Sequence, residues 1–165
     1  HEFTELLDRL LTTDHVTHDG IYFSAVDART LPGPVQRPRI PFVIAANGPR
    51  SLQLAARYGA GWVTTGPTVE TMDEWWAALA VLGGRLDQAL GEAGRDSVTF
   101  DRYLNLDSSP RFSLESVALF EEMAGRAGGL GFTDVITHWP RPEGPYAGDV
   151  SVLEAVASDV IPTLR

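Results

Sequence analysis

The sequence predicts an α/β fold built on parallel strands. Strand-like and amphipathic helical segments alternate four times in succession, and the strand segments are strongly apolar, as strands covered by crossover helices are. A length of 165 residues gives room for one such domain.

The elements follow in order. Glu2 to Leu11 sets Phe3, Leu6, Leu7, Leu10 and Leu11 at helical spacing, with no capping signal ahead of them. Thr12 to Pro41 shows no clear periodicity. It carries the turn signal Asp19-Gly20 and then Pro32, Gly33, Pro34, Pro38 and Pro41, and reads as a connecting segment. Phe42 to Ala46 is a short apolar strand. Arg50 to Tyr58 is a short helix stopped at Gly59, and Trp62 to Thr65 is a second strand closed by Gly66-Pro67. Val69 to Leu90 places Met72, Trp75, Trp76, Leu79, Leu82, Leu86 and Leu90 on one helical stripe, with a break expected at Gly83-Gly84 and an end at Gly91 and Gly94. Of the adjacent tryptophans, one is expected in the core and the other half-exposed. Val98 to Leu106 alternates as a third strand. Leu114 to Ala127 is a helix with Ser113 as its candidate N-cap. Thr133 to Thr137 is a fourth strand, and Val150 to Leu164 a last helix despite Pro162. Periodicity alone leaves open whether the sheet is flat and open or curved into a barrel.

Composition removes several functions. Acidic residues number 22 and basic residues 13, a net charge of −9 that disfavours nucleic acid and anionic membrane as partners. Every basic residue is Arg, which excludes Schiff-base and P-loop lysine chemistry, and Cys is 0, which excludes disulfides, thiolate catalysis and iron–sulfur clusters. No apolar run reaches the ~18 residues of a membrane span and no signal peptide opens the chain, so a cytoplasmic location is expected.

Three strand ends attract attention. Asn47-Gly48-Pro49 sits between a strand and a helix N-terminus, where backbone N–H groups can meet a phosphate; a plain turn explains the same residues. Thr64-Thr65-Gly66 ends the next strand. Its hydroxyls suit phosphate or ribityl contacts, or else one threonine faces the core while the other caps the following helix. His138, Trp139 and Arg141 follow the fourth strand and are placed to line a substrate pocket. His15 and His18, near Asp14 and Asp19, are read as a solvated loop rather than a metal site.

The run Pro38-Arg39-Ile40-Pro41-Phe42-Val43-Ile44-Ala45-Ala46-Asn47-Gly48-Pro49, followed by Ala55-Ala56-Arg57-Tyr58-Gly59-Ala60-Gly61-Trp62, resembles the luciferase-like monooxygenase superfamily. Gly20-Ile21-Tyr22-Phe23 and Pro34 to Pro38 are similar to upstream elements of that family. Ala60 departs from it, standing where the family usually has Asp; this touches a turn contact on the side away from the cofactor. The tone of Ala45 to Gly48 and Thr64 to Gly66 is nearer the branch using the deazaflavin coenzyme F420 than the FMN branch.

The resemblance implies that residues 1–165 form a single partial domain, the C-terminal half of a TIM barrel. It would hold the end of helix four, a connecting segment over 12–41, and parallel (β/α) units with strands five to eight over 42–165. It implies cofactor contacts at Ala45, Ala46, Asn47, Gly48, Thr64, Thr65 and Gly66. It also implies hydride transfer between F420 (alternatively FMN) and a small organic substrate, with the catalytic residues expected in the other half of the barrel. A monooxygenase of the FMN type and a non-catalytic cofactor-binding or assembly module are the alternatives. A half barrel has open sheet edges at Phe42–Ala46 and Thr133–Thr137, so homo-oligomerisation or another edge association is expected, and turnover by the 165-residue chain alone is not.

Overall fold

The computed structural model describes residues 1–164. Four short strands form a parallel sheet in chain order: β3 Val43–Ala45, β4 Gly61–Thr64, β5 Asp101–Asn105 and β6 Asp134–Ile136. Between them run the helices α2 Pro49–Tyr58, α3 Met72–Glu92 and α4 Val117–Gly129. Ahead of this unit lie α1 Glu2–Thr12 and an antiparallel hairpin of β1 Val16–Asp19 and β2 Ser24–Ala28. After it comes α5 Val150–Ala155.

The register decides between an open sheet and a barrel. Ile44, Trp62 and Arg102 align across β3, β4 and β5, and Thr64, Leu104 and Val135 align across β4, β5 and β6. Of these, Trp62, Thr64, Arg102 and Leu104 are buried, and Trp62 and Leu104 share one core with Leu52, Ala55 and Ala56 of α2, Trp75, Leu79 and Leu86 of α3, and Phe120 and Met123 of α4. The alternate positions lie on the other face, where Val43 is 47% and Ile136 39% exposed. Helices therefore cover one face only. An open doubly wound sheet is covered on both, whereas a barrel strand turns its second face to the barrel interior. The architecture is that of a partial TIM barrel, with β3 and β6 as sheet edges.

Several sequence expectations shift. The segment 12–41, expected to be irregular, contains the β1/β2 hairpin. Its strands hide only Val16, so they lack the apolar alternation that marks a half-buried strand. Gly20 at the hairpin turn lets the Glu2 carboxylate approach: an added Cβ would lie 2.0 Å from Glu2 Oε1. That carboxylate accepts from the amides of Tyr22 and Phe23 and tethers the hairpin to α1. Partial burial raises the Glu2 pKa, but these amides and the His18 ring outweigh it, leaving the carboxyl below its ordinary value.

Helix α3 is unbroken through Gly83-Gly84, because its buried stripe continues across them at Leu82, Leu86 and Leu90. Trp75 and Trp76 are both buried, edge to face at 4.8 Å, since Arg126 covers the Trp76 ring. The third strand begins at Asp101, after a turn in which Val98 is exposed. Ser113 does not cap α4. Ser116 does, accepting from the Leu119 amide, while Ser113 is buried beside β6. The last helix loosens after Ala155 into a π-type turn over Val156–Val160 and a 3-10 turn over Ile161–Thr163 that accommodates Pro162. Arg165 lies outside the described residues.

Candidate functional site

The C-terminal ends of the four strands share one rim, and two hydrogen-bonded clusters form there. The first joins β3 to β4. The Asn47 side chain accepts from the Thr64 hydroxyl at 2.5 Å and donates to the Gly66 carbonyl at 3.2 Å and the Thr65 hydroxyl at 3.3 Å. Thr64 also accepts from the Gly66 amide at 2.9 Å and is buried. Asn47 and Thr64 thus hold each other, and the Thr64 hydroxyl is engaged inside the protein. Ala46 is buried, its carbonyl taking the Trp62 indole N–H at 2.7 Å. Ala45 and Thr65 remain exposed. Neither threonine caps α3; that role falls to Thr71.

Gly66 has φ +64, and a Cβ there would lie 2.7 Å from the Trp75 Nε1. Gly66→Ala is expected to lower stability by ~2 kcal/mol, combining left-handed strain with overpacking against Trp75. Urea denaturation checks this, with an unchanged midpoint as the contrary result.

Helix α2 opens at the same place, with Gly48 as its N-cap and Pro49 at the first helical position. The Gly48 N–H donates to the Ser51 hydroxyl, which donates back to the Gly48 carbonyl. Sequence reasoning assigned phosphate donors to Asn47 and Gly48. In the structure, the Gly48 amide is engaged and Pro49 has none, so the first-turn amides that a helix leaves without an internal carbonyl are those of Arg50 and Ser51. Gly48 keeps a different part. Its φ is −107, and an added Cβ would find nothing nearer than Ser51 Oγ at 3.9 Å, so the space beside its Cα at the start of the helix is open.

The second cluster joins β5 to β6 around Asp107, whose side chain is 0% exposed. Its carboxylate accepts from the Ser113 amide at 2.8 Å, the Thr137 hydroxyl at 3.0 Å, the His138 amide at 2.5 Å, and lies 3.1 Å from the His138 Nδ1. Ser113 and Thr137 hydroxyls meet at 2.7 Å. The His138 ring stacks on Tyr146 at 4.0 Å and 6°. Tyr146 is held by the loop that follows, where the Arg141 amide donates to the Tyr146 carbonyl and the Gly148 amide to the Arg141 carbonyl. Trp139 and Arg141 are exposed. Asp107 and Tyr146 were missed from sequence. Asp107 could have been found, because it follows a strand end as Asn47 and Thr65 do.

On the uncovered face below this rim, Tyr103 aligns with Asp134 across β5 and β6. Burial, then the carboxylates of Asp134 and Asp101, push its hydroxyl pKa up. The histidines of the hairpin are paired locally: His15 lies 2.7 Å from Asp27, and His18 3.6 Å from Glu2. Among the described residues, no group of three His, Asp or Glu side chains converges as a metal site would.

Residues 1–107 match the family model described as luciferase-like monooxygenase. The chain belongs to that family. Among curated relatives, an F420-dependent glucose-6-phosphate dehydrogenase of Microbacterium testaceum is 31% identical over 109 residues, covering 66% of this chain and 30% of the relative. One of Nocardia farcinica is 30% identical over 129 residues, covering 74% and 36%. The matched region therefore spans about a third of the length of these relatives. Among solved structures, an F420-dependent secondary alcohol dehydrogenase bound to an F420–acetone adduct superposes with a TM-score of 0.73 at 15% identity, over 99% of this chain and 60% of the other. A coenzyme F420-dependent tetrahydromethanopterin reductase from Methanopyrus kandleri gives 0.69 at 18%, over 99% and 62%. These structures share the fold. No described helix of this luciferase-like chain is long and apolar enough to cross a membrane.

Proposed function

We propose that this luciferase-like chain belongs to an F420-dependent oxidoreductase acting on a small organic substrate, and that it supplies the phosphate-binding side of the cofactor cleft. The F420 dependence of the curated relatives supports the cofactor class. The observation that carries the assignment to this rim is the open space beside the Gly48 Cα at the start of α2. An anion entering it would meet the first-turn amides of Arg50 and Ser51, with the α2 dipole behind them. The exposed Thr65 stands one strand away, a spacing of ~4.8 Å that keeps its hydroxyl within reach of the same group. Asn47 and Thr64 act as the clamp that fixes these two strand ends relative to each other, and Ala45 leaves space on the uncovered face. Arg50, exposed in the first turn of α2, adds positive charge in a chain without Lys.

When bound, a deazaflavin supplies two-electron hydride exchange; the protein orients it and keeps water away. His138, Trp139 and Arg141, two strands further round the rim, face the substrate. Because TIM-barrel sites draw on strand ends around the whole rim, these four strands alone leave the ring-binding side open, and no turnover is expected from residues 1–165 in isolation. The edges at β3 and β6 are where the rest of a barrel or a second copy would pair.

Fluorescence titration of the protein as its gene encodes it, with F420 and with FMN in parallel, tests the reading. Saturable binding of F420 and weaker binding of FMN is the expected result. Preference for FMN would move the protein to the flavin monooxygenase class, and binding of neither would leave a non-catalytic module.

A further inference from the structure

We infer that His138 is the substrate-recognition acceptor of this rim: Asp107 fixes its ring so that Nε2 takes a hydrogen bond from the hydroxyl of an alcohol. The inference deepens the oxidoreductase reading and rests on it for the substrate's presence.

The Asp107 carboxylate is buried. Both of its oxygens already receive donors, Oδ1 from the Ser113 amide and Oδ2 from the Thr137 hydroxyl and the His138 amide. A carboxylate so surrounded can only accept from the imidazole as well, which makes Nδ1 the protonated nitrogen. In the neutral ring, the form sought at pH 8, Nε2 then carries the lone pair. One ring face is closed by Tyr146, itself backed by Phe112 at 5.8 Å. The Nδ1 edge is closed by Asp107, yet the side chain as a whole is 36% exposed, so the exposure falls to the remaining edge and face.

β6 ends at Ile136, and Thr137 just beyond it turns its hydroxyl to Asp107 and Ser113, which leaves His138 on the opposite side with Ile136 if the alternation of β6 continues past its end. A bare ring nitrogen recognises a donor, not an acceptor, so a hydroxyl is favoured over a carbonyl. The partly exposed Ile136 and the exposed Trp139 provide apolar surface beside it for the body of the ligand. Asp107 is a positioning residue here, acting through His138.

Long-range proton–nitrogen correlation spectra of the histidine-labelled protein at pH 8 test the assignment, with His138 signals identified by their loss in His138→Phe. The expected result is an Nδ1–H tautomer for His138, turning to Nε2–H or a mixture in Asp107→Asn. Cyclohexanol and cyclohexanone are then titrated into F420-saturated protein. Cyclohexanol is expected to shift the His138 Nε2 resonance and cyclohexanone to leave it in place. His138→Phe, which keeps a ring against Tyr146, should lower cyclohexanol affinity about tenfold, the worth of one lost hydrogen bond, and leave F420 affinity unchanged. An Nε2–H or doubly protonated ring, a response to the ketone equal to that to the alcohol, or no response to cyclohexanol overturns the inference. The tautomer is read without cofactor, so failure of F420 binding is seen separately.

Discussion

Gly48→Val is expected to weaken F420 binding by about tenfold or more while leaving the fold intact. The backbone at Gly48 is extended, with φ −107, so valine adopts it without strain, and the nearest atom to a new Cβ is 3.9 Å away. The side chain would instead occupy the open space in front of α2. The two first-turn amides give charge-assisted hydrogen bonds worth ~1.5–3 kcal/mol each, so the loss of only one of them sets the tenfold figure as a lower bound. Fluorescence quenching gives the affinity, and a thermal melt unchanged within about 2 °C confirms the intact fold. Unaltered affinity would remove the phosphate from this strand end.

The second large effect concerns stability. Asp107→Ala is expected to cost ~3–5 kcal/mol, because it strands the amides of Ser113 and His138 with no acceptor and removes the carboxylate that the Thr137 hydroxyl and the His138 ring meet. Asp107→Asn, which keeps one acceptor oxygen, should cost less than half of that. Equilibrium urea unfolding of the three proteins measures both values. Equal losses for alanine and asparagine would show that a single acceptor oxygen of the same shape recovers nothing, and that the full carboxylate is what holds this corner.

The parallel sheet was legible because β3 and β4 are short apolar runs and because the buried stripes of α3 and α4 repeat at helical spacing. The β1/β2 hairpin was not, since its strands bury almost nothing and are held by Glu2, a residue twenty positions away. The strand-end residues were found by type, but their roles were not. Thr64 and Thr65 look alike in sequence, and only the register turns one toward the core and leaves the other exposed. Asn47 reads as a ligand contact until its bonds to Thr64 and Gly66 show a clamp. Position just past a strand end could have marked Asp107 as a candidate, but its role lies in four donors drawn from two later segments, a convergence that no local pattern records.

The central claim is that the cofactor's phosphate is met where α2 begins. A crystal structure of the protein with F420 bound measures that position directly. Phosphate oxygens are expected within hydrogen-bond distance of the Arg50 and Ser51 amides and the Thr65 hydroxyl, with the Gly48 Cα against the phosphate. A phosphate seated instead beyond β5 and β6, against His138 and Arg141, would contradict it.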